Sequence, residues 1–395
     1  MLMRKAVLFW GFACMVVAAA RAQVNLPPGF ETVEIAVDER FTSPPSINNC
    51  GQIVYSKEET VPPYGPEIYL YDNGRITQIT HNDIPDDFPV INDAGDMAWI
   101  RYVPELDRVQ LVFLRDGVET IVDEAWALTG VEINSSGHLV WSHYFDGNCN
   151  WDLRVMFWNG SQVTQITPPD EYYDQSPAIN DLDDIVWTHM NVCVTPWTGR
   201  IQAFWDQQIV DLPSVDSQEQ GSDISNSRHL VWSAGQDVVE FRNGMVNVVA
   251  AHGAVPKVNN AGEIYAPVWS VIRELWEPYV FVPQDRGYVA YRFGQGASSY
   301  TDGANNDYGE AACRWINDPV NGDWGGGILF LRQARTGDYN GDARTDLLDY
   351  HRMANCMNGP LVSGGLCGCR LFDFDCDDDV DLLDFCEFQS RFNIK

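Results

Sequence analysis

The chain has 395 residues and a formal net charge of −31, with 56 acidic against 25 basic side chains. Nucleic acid and anionic membrane surfaces are poor partners for such a chain, because both attract basic patches. A hydrophobic content of 45% excludes a disordered chain, and 32 Gly with 21 Pro favour short strands and many turns. We therefore expect a folded, mainly β protein whose natural partners include cations.

The first 22 residues have the pattern of a secretory signal peptide. Arg4 and Lys5 precede an apolar stretch over 6–20 that is short for a membrane span, and residues 20–22 (Ala-Arg-Ala) fit a cleavage site. A lipoprotein signal ending at Cys14 is the alternative, which the residues before it fit poorly. No other stretch is apolar for long enough to cross a membrane. The sequence thus predicts a secreted protein, either extracellular or held at the cell surface.

One sequence motif recurs six times within residues 23–335, the predicted repeat domain. Each copy has an apolar anchor, an Asn-x-x-Gly turn or a near variant, and an apolar strand. The anchors are Ile47, Ile91, Ile133, Ile179, Ile224 and Val258, at steps of 44, 42, 46, 45 and 34 residues. Eight positions after the anchors stand Tyr55, Trp99, Trp141, Trp187, Trp232 and Ala266. A period near 45 residues is typical of a four-stranded propeller blade.

Positions six, seven and eight after each anchor are apolar in nearly every copy, which predicts a strand buried on both faces. In most copies a hairpin follows, as in 67–80 and 154–167, so the unit has four strands. Six copies predict a six-bladed β-propeller. Residues 291–335 are irregular and form either a seventh blade or the closure of the sixth. Residues 31–37 are expected to supply the outer strand of the last blade.

These repeats resemble the extracellular propeller repeats written around "INxxGxIVW" in bacterial secreted proteins. They resemble the TolB-type propeller more loosely, and the match covers about residues 24–335. The resemblance implies an architecture. It implies no activity, because propellers carry many unrelated functions.

The C-terminal module, 336–395, contains two acidic loops offset by 35 residues, "DYNGDARTDLLDY" and "DFDCDDDVDLLDF". Oxygen side chains stand at loop positions 1, 3, 5, 9 and 12, and position 7 offers its carbonyl. Calcium takes six to eight oxygen ligands, which such a loop can supply. The predicted ligands of two Ca²⁺ ions are Asp338, Asn340, Asp342, Arg344, Asp346 and Asp349 in the first loop, and Asp373, Asp375, Asp377, Asp379, Asp381 and Asp384 in the second.

The module resembles the dockerin family, because its EF-hand-like loops are duplicated, end in Asp rather than Glu and lack an entry helix. The resemblance implies a small α-helical domain that docks secreted proteins, often polysaccharide-degrading enzymes, onto cohesin partners. Position 6, normally Gly, is Ala343 in one loop and Asp378 in the other. The positions that help to select the cohesin are 347–348 and 382–383, all Leu. The partner is therefore left open, as a cohesin-like or another extracellular protein.

No motif for nucleophilic, P-loop or zinc-protease chemistry occurs. His138 and His229 each precede a Leu-Val-Trp strand and are better explained as repeat positions than as catalysts. Cys149 and Cys193 lie at similar places in adjacent copies and are a candidate disulfide. The tryptophans outside the repeat register, which are weaker candidates for ligand contact, are Trp126, Trp151, Trp197, Trp276 and Trp324.

Three functions remain open from the sequence. In the first, the propeller binds an extracellular protein or glycan, and the dockerin-like tail docks or anchors the protein. In the second, the chain is a polysaccharide-degrading enzyme, a glycoside hydrolase or lyase, that carries a dockerin. In the third, it is a structural protein of the cell envelope. Whether the protein is an enzyme is undecided, and a glycoside hydrolase is the first expectation if it is one.

Overall fold

The computed structural model describes residues 24–59, 65–145, 152–169, 172–294, 299–318, 323–334, 337, 344–357, 369, 372, 374 and 380–392. Almost all of the regular structure is β. The predicted signal peptide, residues 1–22, lies outside the described residues. The two helices that are described both lie in the C-terminal module.

The strands follow one another as short antiparallel meanders. The first fourteen are β1 (Phe30–Glu39), β2 (Ser46–Ile47), β3 (Ile53–Glu58), β4 (Pro66–Asp72), β5 (Arg75–Gln78), β6 (Asp86–Ile91), β7 (Met97–Val103), β8 (Arg108–Arg115), β9 (Val118–Ala125), β10 (Leu128–Ile133), β11 (Leu139–Phe145), β12 (Asp152–Trp158), β13 (Val163–Gln165) and β14 (Tyr173–Ile179). The next fourteen are β15 (Ile185–Asn191), β16 (Thr198–Trp205), β17 (Gln208–Asp211), β18 (Glu219–Ile224), β19 (Leu230–Ala234), β20 (Asp237–Arg242), β21 (Met245–Ala251), β22 (Lys257–Val258), β23 (Ile264–Ser270), β24 (Leu275–Gln284), β25 (Gly287–Arg292), β26 (Ser299–Asn305), β27 (Ala311–Asp318) and β28 (Asp323–Gln333).

These strands form five four-stranded sheets and one eight-stranded sheet. The eight-stranded sheet is two meanders, β10–β13 and β14–β17, joined by a single parallel pair between Leu153 and Tyr173. The described chain therefore contains seven four-stranded units. We number them in chain order as unit 1 (β2–β5), unit 2 (β6–β9), unit 3 (β10–β13), unit 4 (β14–β17), unit 5 (β18–β21), unit 6 (β22–β25) and unit 7 (β26–β28 with β1).

The described residues form one four-stranded unit more than the six copies found in the sequence. The additional copy begins at Asn305, 47 residues after the sixth anchor, and reads Asn-Asn-Asp-Tyr-Gly-Glu. Its anchor is an amide where the other six copies have Ile or Val. The strand that follows carries Cys313 where four other units have Trp. Both changes remove the apolar signal by which the other copies are recognised.

The first and last strands meet in unit 7, as predicted for residues 31–37. β1 pairs antiparallel with β28, from Phe30 opposite Gln333 to Ile35 opposite Ile328. Unit 7 also packs against unit 1, where Tyr71 contacts the ring of Phe330 edge-on at 6.2 Å. The two ends of the β domain are thus joined by hydrogen bonds and by a shared apolar core.

The second strand of each unit is buried on both faces, which confirms the predicted register. Trp99, Trp141, Trp187 and Trp232 are all 0% exposed and form the core between units. The first three also donate their indole N–H to a buried or half-buried aspartate, such as Asp174, which accepts from Trp187 Nε1 at 2.9 Å. The indole N–H of Trp232 has no hydrogen-bond partner.

In each unit, the residue after the anchor contributes to a ring of mostly amide side chains that joins neighbouring units. We call this ring the amide belt. Its members are Asn48, Asn92, Asn134, Asn180, Ser225, Asn259 and Asn306, all at most 5% exposed. Each asparagine Nδ2 donates to the backbone carbonyl of the next member, at 2.7 to 3.1 Å. The last of these bonds runs from unit 7 back to unit 1. Ser225 is the one member without an amide, so the belt is interrupted between units 5 and 6.

The interruption gives a stability prediction. Ser225→Asn is expected to raise the free energy of unfolding by about 1 kcal/mol, because it adds one buried hydrogen bond to the carbonyl of Asn259. Urea unfolding followed by tryptophan fluorescence measures this. The exposed residue Ser217 provides the control substitution, Ser217→Asn, for which no gain is expected. Equal stability of the wild type and Ser225→Asn would mean that the belt does not bind the units together.

The C-terminal module contains α1 (Leu347–Cys356) and α2 (Leu382–Arg391). Each begins with an aspartate N-cap and a capping box, so the two copies of the duplicated sequence fold alike at this point. A small core of its own contains Met353, Phe372 and Phe388, all 0% exposed.

Candidate functional site

A central channel is bordered by the first strands of all seven units and has a volume of about 440 Å³. Every unit contributes at least two of the three residues before its anchor, and all units except unit 5 also contribute their amide-belt residue. The repeat explains this placement, because the same short strand of every meander faces the axis of the ring. The channel is the candidate ligand site of the β domain, since pockets of this size are typical of small-ligand binding.

The mouth of the channel carries a polar ring one residue beyond the amide belt. Its members are Asn49, Asp93, Ser135, Asp181, Asn226, Asn260 and Asp307. Neighbours bond through backbone N–H groups and side chains. For example, Asn260 N–H donates to Asp307 at 2.7 Å, and Asp307 N–H donates to Asn49 at 2.7 Å. These bonds hold the rim carboxylates in fixed positions and keep the mouth acidic.

Charged side chains meet inside the channel. The ammonium group of Lys257 in unit 6 forms an ion pair with Glu132 in unit 3, across the channel, and lies 3.9 Å from Asp223 in unit 5. Burial lowers the pKa of Lys257, but the field of Glu132 and Asp223 outweighs burial and raises it above the usual range. Burial raises the pKa of Asp223, and the neighbouring Lys257 offsets part of that rise. Lys257 is therefore protonated at neutral pH.

The charged residues Glu132, Asp223 and Lys257 were not predicted from the sequence as members of a site. They occupy the position just before the anchor, which differs from copy to copy. Lys257 and Glu132 are 125 residues apart in the chain. The repeat register was the only signal that could have placed them on one axis.

Five of the twelve predicted calcium ligands lie in the described residues. The structure places Arg344 just before α1, Asp346 and Asp381 at the two N-caps, and Asp349 and Asp384 one turn into the two helices. The other seven, which lie outside the described residues, are Asp338, Asn340, Asp342, Asp373, Asp375, Asp377 and Asp379. Within the described residues, no group of three acidic, His or Cys side chains forms a metal cluster.

The carboxylates predicted to end the two calcium loops are buried at the helix starts. Asp349 is 0% and Asp384 is 1% exposed, although burial disfavours a charged carboxylate. Asp384 accepts from the backbone N–H of Phe374 at 2.6 Å and from that of Asp381 at 2.9 Å, which ties the loop to the helix. A carboxylate donor set of this kind suits a hard cation such as Ca²⁺.

The histidines pair with carboxylates. His189 lies 2.7 Å from Asp174, His229 lies 2.9 Å from Glu240, and both histidines are buried. In the part of the chain that the structure describes, neither ring hydrogen-bonds to a Ser, Thr or Cys side chain. These contacts support structural roles for the histidines.

The tryptophans outside the repeat register are scattered. Trp126 is 57% exposed and has the guanidinium of Arg108 stacked 3.9 Å from its ring, whereas Trp197 and Trp276 are half-buried. The residue Trp151 and the side chain of Trp324 lie outside the described part. The three described side chains do not converge on one surface patch.

Disulfides are present in both parts of the chain. Cys356 and Cys369 are bonded in the C-terminal module. Cys193 is disulfide-bonded, and so is Cys50, which follows the channel-mouth residue Asn49. The predicted partner of Cys193, Cys149, lies outside the described residues. Among the described cysteines, Cys313 and Cys386 are free thiols.

No protein-family model and no curated protein matches this sequence. Solved structures do match. The β-propeller domain of the Trilobed protease from Pyrococcus furiosus aligns with a TM-score of 0.56 and 12% identity, over 76% of this chain and 97% of that one. The acylaminoacyl peptidase of Pyrococcus horikoshii aligns with a TM-score of 0.52 and 15% identity, over 71% of this chain and 51% of that one. TolB from Acinetobacter baumannii aligns with a TM-score of 0.44 and 14% identity, over 62% of this chain and 64% of that one.

At these identities the likeness shows the fold alone. The chain has a β-propeller fold, as its repeated meanders around a channel indicate. It spans about half the length of the acylaminoacyl peptidase. Both described helices are ten residues long, too short to cross a membrane.

Proposed function

We propose that this is a secreted, calcium-binding modular protein with two binding parts. The seven-bladed propeller binds an extracellular ligand, and the dockerin-like C-terminal module docks or anchors the protein. The observation that carries this proposal is the duplicated helix start, in which a buried aspartate follows an acidic loop twice in the same register. The capping boxes hold both carboxylates at the helix starts, and the acidic loop before each of them adds the further oxygen ligands that a cation needs.

Two calcium ions are the expected cofactors, one in each loop. Asp346 and Asp349 would hold the first, and Asp381 and Asp384 the second, together with the loop ligands named from the sequence. Each ion would supply positive charge beside a buried carboxylate, in addition to the backbone N–H groups that already donate to it.

Docking is supported by exposed leucines in equivalent places. Leu347 and Leu348 at the start of α1 are 71% and 69% exposed, and Leu382 and Leu383 at the start of α2 are 68% and 65% exposed. Two matching apolar pairs on a charged module are an unusual surface for a protein without a partner. The proposed partner is a cohesin-like or another extracellular protein.

Calcium titration of the full chain by calorimetry tests the calcium proposal. We expect two ions per chain, with Asp349→Asn and Asp384→Asn each losing one. The control is Asp285→Asn, in the exposed turn between β24 and β25, which should keep both. Unchanged stoichiometry in both loop variants would refute the assignment.

The docking proposal needs a different readout, namely retention on immobilised extracellular proteins with and without calcium. Leu347→Ser together with Leu382→Ser should abolish calcium-dependent retention without changing the calcium stoichiometry. A polysaccharide panel assayed for new reducing ends addresses the enzyme alternative. Release of sugar ends would overturn a purely binding role for the propeller.

A further inference from the structure

The repeat supplies its own internal comparison, because the position just before the anchor can be compared across all seven units. Just before the anchor, four units have small or apolar side chains, which are Ser46, Val90, Ala178 and Ala304. The other three units have Glu132, Asp223 and Lys257. Since four units fold without a charge at this position, the fold does not require one. Departures from a local rule of this kind are expected at functional sites.

The charges converge although they come from different units. Lys257 contacts Glu132 and lies close to Asp223, and the carboxylate of Asp302 in unit 7 also acts on Lys257. Three carboxylates therefore face one ammonium group, and the acidic rim of the mouth adds to the negative potential. The interior of the channel attracts cations.

Two buried oxygen atoms in the same sector have no hydrogen-bond partner. Ser222 in unit 5 is 5% exposed, belongs to the channel wall, and its hydroxyl is unpaired. Asn305 in unit 7 donates through Nδ2 to the carbonyl of Glu263 at 3.1 Å, while its Oδ1 is buried and unpaired. Such groups are rare in folded proteins and call for a partner. Both lie in the units on either side of Lys257.

We propose that the channel binds a small organic cation with several protonated amines, on the side formed by units 5, 6 and 7. This inference rests on the proposal that the propeller is a binding module, and it names the ligand class. An ammonium group donates up to three hydrogen bonds, which the carboxylates and the unpaired oxygens can accept. Lys257 already shows that this wall accepts an ammonium group.

The test is calorimetric titration of the calcium-loaded full chain with spermidine at physiological ionic strength. We expect one spermidine per chain and at least tenfold weaker binding by Asp302→Asn. The matched control is Asp285→Asn, which removes the same charge from an exposed turn. It should bind as the wild type does, because non-specific attraction to an acidic surface would affect both variants equally.

Lys257→Met gives the most discriminating result. Because Lys257 competes for the same acceptors, its removal should tighten spermidine binding several-fold even if it lowers thermal stability. A purely structural ion pair would not tighten it. The proposal is overturned by absence of binding, by equal weakening in Asp302→Asn and Asp285→Asn, or by weaker binding in Lys257→Met. A third calcium ion, lost in Asp302→Asn, would make the channel a metal site and also overturn it, while the loop variants above test the C-terminal module separately.

Discussion

Asn306→Ala is expected to lower the free energy of unfolding of the propeller by about 3 kcal/mol or more. Asn306 is 4% exposed, and its Oδ1 accepts from the backbone N–H groups of Tyr308 and Glu310, both at 3.1 Å. Its Nδ2 donates to the carbonyl of Asn48 at 3.0 Å. The substitution removes the acceptor of two backbone donors in the turn and one of the polar links between the last unit and the first.

Urea unfolding followed by tryptophan fluorescence measures this effect, because every Trp lies outside residues 336–395. The matched control is Asn159→Ala. Asn159 accepts from Ser161 N–H and Gln162 N–H in the same manner but is exposed, so water replaces it. We expect a loss below about 1 kcal/mol there. Similar losses at both positions would show that burying an asparagine in the amide belt does not increase its contribution to the free energy of unfolding.

Trp187→Phe and Trp232→Phe should differ strongly although both tryptophans are fully buried at the same position of the repeat. Trp187 donates to Asp174, a carboxylate only 1% exposed, so its loss weakens a buried charge-assisted bond and leaves a cavity. We expect a loss of about 3–4 kcal/mol. Trp232 has an unpaired indole N–H, so Trp232→Phe leaves the cavity but also removes a buried unsatisfied donor. A loss of about 1 kcal/mol is expected.

Thermal unfolding followed by circular dichroism suits this comparison, since it does not depend on the tryptophan that is removed. The two substitutions delete the same atoms from equivalent core sites. The difference between them therefore isolates the hydrogen bond to Asp174. Equal losses would assign the role of these tryptophans to packing alone.

The propeller fold was predictable because its signal is periodic. The anchors, the turn and the buried strand recur every 42 to 46 residues in five of the copies, and the tryptophans revealed the core register directly. The seventh unit was hidden because Asn305 and Cys313 replace its apolar markers. The sequence Asn-Asp-Tyr-Gly from Asn306 still matches the Asn-x-x-Gly turn of the repeat.

The channel could not be predicted in the same way. Its charges lie at positions that the repeat leaves free to vary, and Lys257 meets Glu132 only after the ring has formed. The calcium ligands that we propose, by contrast, were predicted from a local pattern with a fixed spacing. The part of this pattern that the structure describes, from Asp346 to Asp349 and from Asp381 to Asp384, forms two equivalent helix starts.

The pairing of β1 with β28 has a consequence for how the protein is made. Glu31 and Arg332 form an ion pair between these strands although they are 301 residues apart in the chain. Strand β1 is therefore synthesised long before its partner β28, which is made only after nearly the whole domain. Until then its hydrogen-bonding edge is open, and such an edge can pair with another chain. Units 1 to 6 consist of strands that are close in sequence, so the edge of β1 is the part of the domain whose pairing waits longest, until residue 333 has been made.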